Sequence, residues 1–299
     1  MNVEKKVIKM LKLVGFDKFG FAQIKYFKEL EARYFEQEKK KFKTLFQVGD
    51  VDKKTFKNEN IYKSAIVVLL PYKKFESKLN ENIIYVSSSL SNFDYHVVLK
   101  NKLMVISDYL ESMGYTAKIY VDNNELDERY LAYKAGLGFY GLNHLLINKD
   151  YGSYFFIGII LTNAIFNYGN PLNKKCAMCG KCLESCPNGA IKKSGDFNGN
   201  QCVSYITQKK ILDECEKDLI GQCIIGCDKC MIICPHNNFV SHSNTSIEPL
   251  IDIYKYSSLS NKEFKRKYGK YAFSWRGKKI FERNLNIYKQ KLAKKQKLW

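Results

Sequence analysis

Nothing in this chain is long and apolar enough to make a membrane helix. The longest apolar stretch, "YFFIGIIL" at Tyr154–Leu161, falls far short of the roughly 20 residues such a helix needs. The opening "MNVEKKVIKMLKLVGF" spaces Val3, Val7, Met10, Leu11 and Val14 as an amphipathic helix and lacks the apolar core of a secretory leader. A cytoplasmic protein in a reducing compartment is therefore expected, with no membrane partner. Arginine is scarce, five among 49 basic residues, although these outnumber 30 acidic ones and give a formal net charge of +19. The lysine excess accompanies many Asn, Ile and Tyr residues, as a compositional bias would produce. Charge by itself thus leaves a polyanionic partner as open as a merely basic surface. A dinucleotide fingerprint is missing in substance: Gly136, Gly138 and Gly141 fit Gly-x-Gly-x-x-Gly but follow a helical segment, where a strand is required. No internal repeat exists beyond two runs of cysteine.

Cysteine is what the chain has in abundance, ten in all. "CAMCGKCLESCPNGAI" sets Cys176, Cys179, Cys182 and Cys186 as Cys-x2-Cys-x2-Cys-x3-Cys-Pro, and "CDKCMIICPHN" sets Cys227, Cys230 and Cys234 as Cys-x2-Cys-x3-Cys-Pro. Three thiolates at this spacing wrap one corner of an iron–sulfur cube, and the cysteine before proline reaches the other cluster of a two-cluster ferredoxin. Zinc sites use two separated pairs, and disulfide frameworks belong to small secreted domains, so two [4Fe–4S] clusters are the expectation. With four thiolates to each cluster, one more cysteine is needed than the seven in the runs. Cys215 lies among carboxylates in "LDECEKDL" that disfavour a thiolate. Cys223 precedes Cys227 at a spacing the ferredoxin loop does not use. Cys202, in "NQCVSYITQ", remains. One cluster is assigned to Cys176, Cys179, Cys182 and Cys234, and the other to Cys186, Cys202, Cys227 and Cys230. Cys215 and Cys223 are read as small core residues.

At 299 residues there is room for two domains. "SAIVVLL" (Ser64–Leu70), "AKIYV" (Ala117–Val121) and Tyr154–Leu161 read as buried strands. Between the first two, Leu99, Leu103, Ile106 and Leu110 recur at helical spacing, and "ELDERYLAYKAGLGFYGLN" reads as a helix closed by Gly136 and Gly138. This predicts an α/β (α+β) domain over residues 1–166, a two-cluster ferredoxin-like domain over 167–242 with a helical stretch at Thr207–Ile220, and a basic helical segment over 243–299. In that last segment Phe264, Tyr268, Tyr271, Phe273 and Trp275 either stack on unpaired bases or pack into a core under a basic face. An α/β domain ahead of a two-cluster relay predicts that electrons are used there. Asp122, following the strand "AKIYV", is either an acid at a strand end or the N-cap of the next helix. His96 and His144 read as ordinary packed or surface histidines.

These blocks together resemble the epoxyqueuosine reductases. The likeness runs through "DYH" (Asp94–His96), "VD" then "ELDERYLAYKAGLGFYGLN", "YGSYFFIGIILTN", both cysteine runs, "CVSYITQ" and "FSWRGKKIFERN", most of the chain. The resemblance implies a corrinoid-binding N-terminal domain with cob(II)alamin, two [4Fe–4S] clusters, and reduction of epoxyqueuosine to queuosine in tRNA. It makes Asp122 the proton donor, places Leu146, Ile157 and Ser204 against the corrinoid, and matches the two ligand sets above. Burial would keep such an acid protonated. The implied partners are a tRNA anticodon stem-loop and an external low-potential electron donor, acting on a monomer. The chain departs from the family pattern at Asn123–Glu125, Leu142, Ile159 and His236, and it lacks the C-terminal helical repeats of longer members. Those departures motivate an alternative, a divergent corrinoid iron–sulfur reductase acting on a small molecule or on another corrinoid protein. A plain electron carrier would need neither Asp122 nor the "AGLGFYG" loop.

Overall fold

In the computed structural model, which describes residues 3–47, 49–74, 80–240, 251–254 and 256–296, the apolar run at Ser64–Pro71 becomes an inner strand of a four-stranded sheet. The order is Lys18–Gln23, Ser64–Pro71, Phe155–Thr162, Ala117–Tyr120, and every pairing is antiparallel. Side chains alternate between the two faces, as the pleat requires. Ala65, Val67, Leu69, Ile159 and Leu161 enter one core, and Ile66, Val68 and Ile160 enter another. The helix Tyr95–Ser112 lays Leu99, Leu103, Ile106 and Leu110 on the second face, where all four are fully buried. The backbone at Gly158 lies so close to this helix that a Cβ there would stand 2.9 Å from Leu103 Cδ1. Burial on both faces is why Ser64–Pro71 reads as an unbroken apolar run and hides its antiparallel pairing. The first domain is thus α+β, the second half of the expectation. The site rule for carboxyl ends of parallel strands does not apply to it.

The chain forms two units, Met1–Pro71 with Tyr95–Cys179, and Tyr72–Asp94 with Gly180–Trp299. Residues 72–94 therefore belong with the cysteine-rich half, and the expected break after residue 166 falls inside the first unit. The break expected after residue 242 lies outside the described residues.

In the second unit Ile83–Val86 is the middle strand of three, parallel to Cys223–Ile225 and antiparallel to Ile251–Asp252. The basic C-terminal segment is part of this fold. Its helices are Asn261–Tyr268, started by a Ser260–Glu263 capping box, and Gly277–Gln296. Phe264, Tyr268, Tyr271 and Phe273 are buried with Ile84, Val86 and Phe281, so four of the five aromatic residues pack into a core and only Trp275 is largely exposed. The expected helix Thr207–Ile220 shrinks to Glu214–Asp218. Asp213 and Glu216 close a capping box that fixes the start, and the Lys209 and Lys210 carbonyls are taken by Arg283 Nη1 at 2.7 and 2.9 Å.

Candidate active site and cluster-binding cysteines

Tyr120 is registered against Ile159, so the chain leaves its strand level with Gly158 and Ile157 of the neighbour. There Asp122 and Asn123 take left-handed backbone angles, φ 43° and 46°. Such a conformation costs about 1–2 kcal/mol for an ordinary residue and less for Asp or Asn, whose side chains bond locally. Asp122 Oδ1 accepts from Asn123 N at 2.8 Å, and Asp122 Oδ2 accepts from Tyr95 Oη. The Tyr95 ring is stacked between Phe156 at 3.8 Å and His96 at 4.2 Å, and His96 Nε2 lies 3.9 Å from Asp122 Oδ2. Asp122 is not a helix cap. The helix Glu128–Lys134 is capped by Asp127, which accepts from Tyr130 N at 3.0 Å and is held by Tyr34 Oη at 2.7 Å and by Arg33. The Asp122 side chain is 51% exposed, so its own neighbours do not supply the burial expected of the acid.

Beneath the loop, Glu128 Oε1 accepts from Asp122 N and from Asn124 Nδ2, both at 2.7 Å. The residue is half-buried, but its carboxyl is packed round by protein atoms. That burial, reinforced by the charges of Asp122 and Asp127, pushes Glu128 up to about 8 from an ordinary 4.5. The folded chain therefore binds a proton that the unfolded chain has lost. The stability tied to this group is fullest below the ordinary carboxylate value and is lost as pH rises through about 8. Thermal melts across this range should fall for the wild type and fall less for Glu128→Gln; parallel curves would refute the assignment. An open cleft of about 190 Å³ beside the loop is lined by Tyr34, Phe46, Lys54, Asp122, Asn124 and Arg129. Arg129 is its exposed cation, while Lys54 is buried and donates to the Gly49 carbonyl at 2.8 Å.

Leu146 and Ile157 meet on one face of the first unit: Leu146 is buried in its core and Ile157 packs on that core half-buried. Ser204 belongs to the second unit, on the short helix Val203–Ile206, where its carbonyl accepts from Thr207 Oγ1 and Gln208 Nε2.

All ten cysteines lie among the described residues, and none is joined in a disulfide. In the second unit Cys230 is half-buried, and its thiol is pushed up by desolvation and by its neighbours Cys227, Cys202, Cys186 and Cys182. Burial likewise pushes Cys227 up to about 11, with Cys202 beside it. Cys186, Cys202, Cys227 and Cys230 thus share one region, rich in N–H donors toward sulfur: Ala190 N to Cys186 at 3.2 Å, and the amides of Ser204 and Tyr205 to Cys202. Cys182 and Cys234 are buried on two short packed segments, Lys181–Glu184 and the turn after Lys229–Ile232. Cys176 and Cys179 end the first unit, with Met178 N donating to Cys176 Sγ at 3.4 Å. Among the described residues no three His, Cys, Asp or Glu side chains gather closely enough for a single metal ion. Cys215 is exposed on the helix Glu214–Asp218, and Cys223 donates to the Ile225 and Gly226 carbonyls. Sequence reasoning missed Tyr95, Asn124 and Glu128. All lie within or beside the recognised blocks, but nothing in their spacing announces burial or hydrogen bonding.

Residues 59–123 match the family described as epoxyqueuosine reductase QueG, DUF1730, and residues 175–237 match the 4Fe-4S double cluster binding domain. The chain is 34% identical to an epoxyqueuosine reductase of Bacillus anthracis over 301 residues, covering 95% of this chain and 79% of the relative. A solved epoxyqueuosine reductase of Bacillus subtilis, with its aspartate-bearing catalytic loop swung out of the active site, is 30% identical with a TM-score of 0.88, covering 96% of this chain and 80% of that one. Another solved epoxyqueuosine reductase, with a tRNA-Tyr epoxyqueuosine-modified tRNA stem loop, matches with a TM-score of 0.89 at 30% identity and the same coverages. No helix among the described residues is long and apolar enough to cross a membrane. On identity sustained over nearly its whole length, and with a 4Fe-4S double-cluster domain in place, the chain belongs to the epoxyqueuosine reductase family of oxidoreductases.

Proposed function

We propose that this chain is a cobalamin- and iron–sulfur-dependent reductase that converts epoxyqueuosine to queuosine in tRNA, with Asp122 as its proton donor. The observation that carries the reading is the Asp122 loop. Its carboxyl stands at the end of a strand, is not used as a cap, is held by Tyr95, and lines a cleft that Arg129 also lines. The Bacillus subtilis relative has a catalytic loop bearing an aspartate, and another relative holds an epoxyqueuosine-modified tRNA stem loop.

The reaction takes two electrons and two protons: an epoxide C–O pair is broken, an alkene forms and water leaves. Bound cobalamin would supply a strongly reducing, nucleophilic cobalt centre for this chemistry. The half-buried Phe155 and Ile157, on the sheet face opposite Phe156 and Tyr95, leave apolar surface near the level of Asp122 that suits one side of a flat macrocycle. On this reading Leu146, Ile157 and Ser204 are the chain's corrinoid contacts. Asp122 gives a proton to the leaving oxygen. The exposed Arg129 meets phosphate, and Tyr34 and Phe46 offer rings to an unstacked base. Cys176, Cys179, Cys182 and Cys234 hold one cluster, Cys186, Cys202, Cys227 and Cys230 the other, and these pass on single electrons from an external low-potential donor.

Turnover of an epoxyqueuosine-containing tRNA stem-loop by anaerobically reconstituted protein, with a chemical reductant, tests the proposal. Queuosine in the nuclease digest is expected. Protein that holds cobalamin and both clusters yet leaves the epoxide intact would transfer the chain to the divergent-reductase alternative.

A further inference from the structure

The loop from Asp122 to Leu126 contains neither glycine nor proline, yet it begins with two successive left-handed residues. Backbone preference therefore does not set this turn. Side chains do. Asn124 Nδ2 donates to the Asp122 carbonyl at 3.1 Å and to Glu128 Oε1 at 2.7 Å, while Asn124 Oδ1 accepts from Leu126 N at 2.8 Å. The same Glu128 oxygen accepts from Asp122 N. Both polar groups of the Asp122 backbone are thus held by two side chains that also bond each other. Glu128 opens a helix whose start is pinned by Asp127, itself held by Tyr34 and Arg33. The brace is therefore tied to a fixed element and not to another part of the loop.

We propose that Glu128 and Asn124 are positioning residues that lock the Asp122 loop in its left-handed turn and so fix where the Asp122 carboxyl stands. The proposal rests on the reading of Asp122 as proton donor. One acceptor oxygen is all that the brace asks of Glu128, and because burial favours its neutral form near pH 7, glutamine is close to an isostere of it. Alanine removes the acceptor altogether.

Two measurements on the reconstituted holoenzyme test this: hydrogen exchange of the Asp122 amide, and the separation of kcat from KM. Glu128→Ala should speed exchange of the Asp122 amide and lower kcat about 10²-fold, the effect of moving a catalytic group by about 1 Å, with KM and cluster content little changed. Glu128→Gln should recover both. Asn124→Ala, at a half-buried loop position, should act in the same direction and serves if Glu128→Ala fails to fold. Unchanged exchange in both alanine variants overturns the brace, as does a Glu128→Gln protein as impaired as Glu128→Ala. Faster exchange with full kcat has two meanings, separated by Asp122→Asn. If Asp122→Asn is inactive, the positioning claim fails. If it is active, the loop is braced but Asp122 is not the acid.

Discussion

Asp122→Asn should keep its clusters and cobalamin and lose about 10²–10⁴-fold in turnover of the epoxide, the usual worth of a positioned general acid. The substitution is unusually clean at this position. Asparagine is among the residues that tolerate a left-handed backbone, so φ 43° is no obstacle, and the side-chain oxygen can still accept from Tyr95. What the amide cannot do is give up a proton to the leaving oxygen. Single-turnover kinetics after reduction of the cofactors isolate this step from electron delivery. Full activity in the variant would sink the assignment, and the search would pass to other groups lining the cleft.

Removing Cys202 should halve the iron. Wild-type protein reconstituted anaerobically should hold about eight iron and eight sulfide, as two [4Fe–4S] clusters require. Cys202→Ala should hold about half of each and lose turnover, because a relay with one missing station carries no current. Cys215→Ala and Cys223→Ala should keep the full complement. The three candidates differ in their surroundings. Cys202 neighbours both Cys227 and Cys230, and two amides face its sulfur. Cys215 is exposed on its own short helix. Cys223 points its thiol at two carbonyls, acceptors that suit a protonated thiol and repel a thiolate. Four iron in the wild type, or stoichiometric zinc, would overturn the count.

Much of the first unit could be read from periodicity because its signals are local. Leu99, Leu103, Ile106 and Leu110 mark one helix face, and three strands announce themselves as apolar runs. Lys18–Gln23 escaped because six residues with a glycine among them and a mixed burial pattern make a weak run. The antiparallel pairing escaped because a strand buried on both faces carries no sign of direction. The membership of Ile83–Val86 was invisible for another reason: its partners Cys223–Ile225 and Ile251–Asp252 lie far along the chain. At the site, the double-cluster domain was legible through cysteine spacing, and Asp122 was singled out through resemblance. Glu128 was not, because a glutamate at the start of a helix ordinarily faces water, and only the returning loop turns it into a hydrogen-bond acceptor for Asp122. Trp275 shows the same limit from the other side. For the five aromatic residues of the basic tail the sequence left stacking on bases and packing into a core equally open, and tertiary packing buried four and left one largely exposed.

The interleaving of the two units has a consequence for synthesis. The chain enters the second unit at Tyr72, returns to the first at Tyr95 and leaves it after Cys179. When the ribosome has completed the four-stranded sheet, Ile83–Val86 has already emerged but its neighbouring strands have not yet been made. Ile84 and Val86, fully buried at the end, must wait on an unpaired strand with both edges open, a state prone to joining other chains. No single cut yields two self-sufficient halves. Slow elongation between Cys179 and Ile225 would lengthen that wait, so yield in a heterologous host should depend on codon choice there more than in the segment that encodes the sheet.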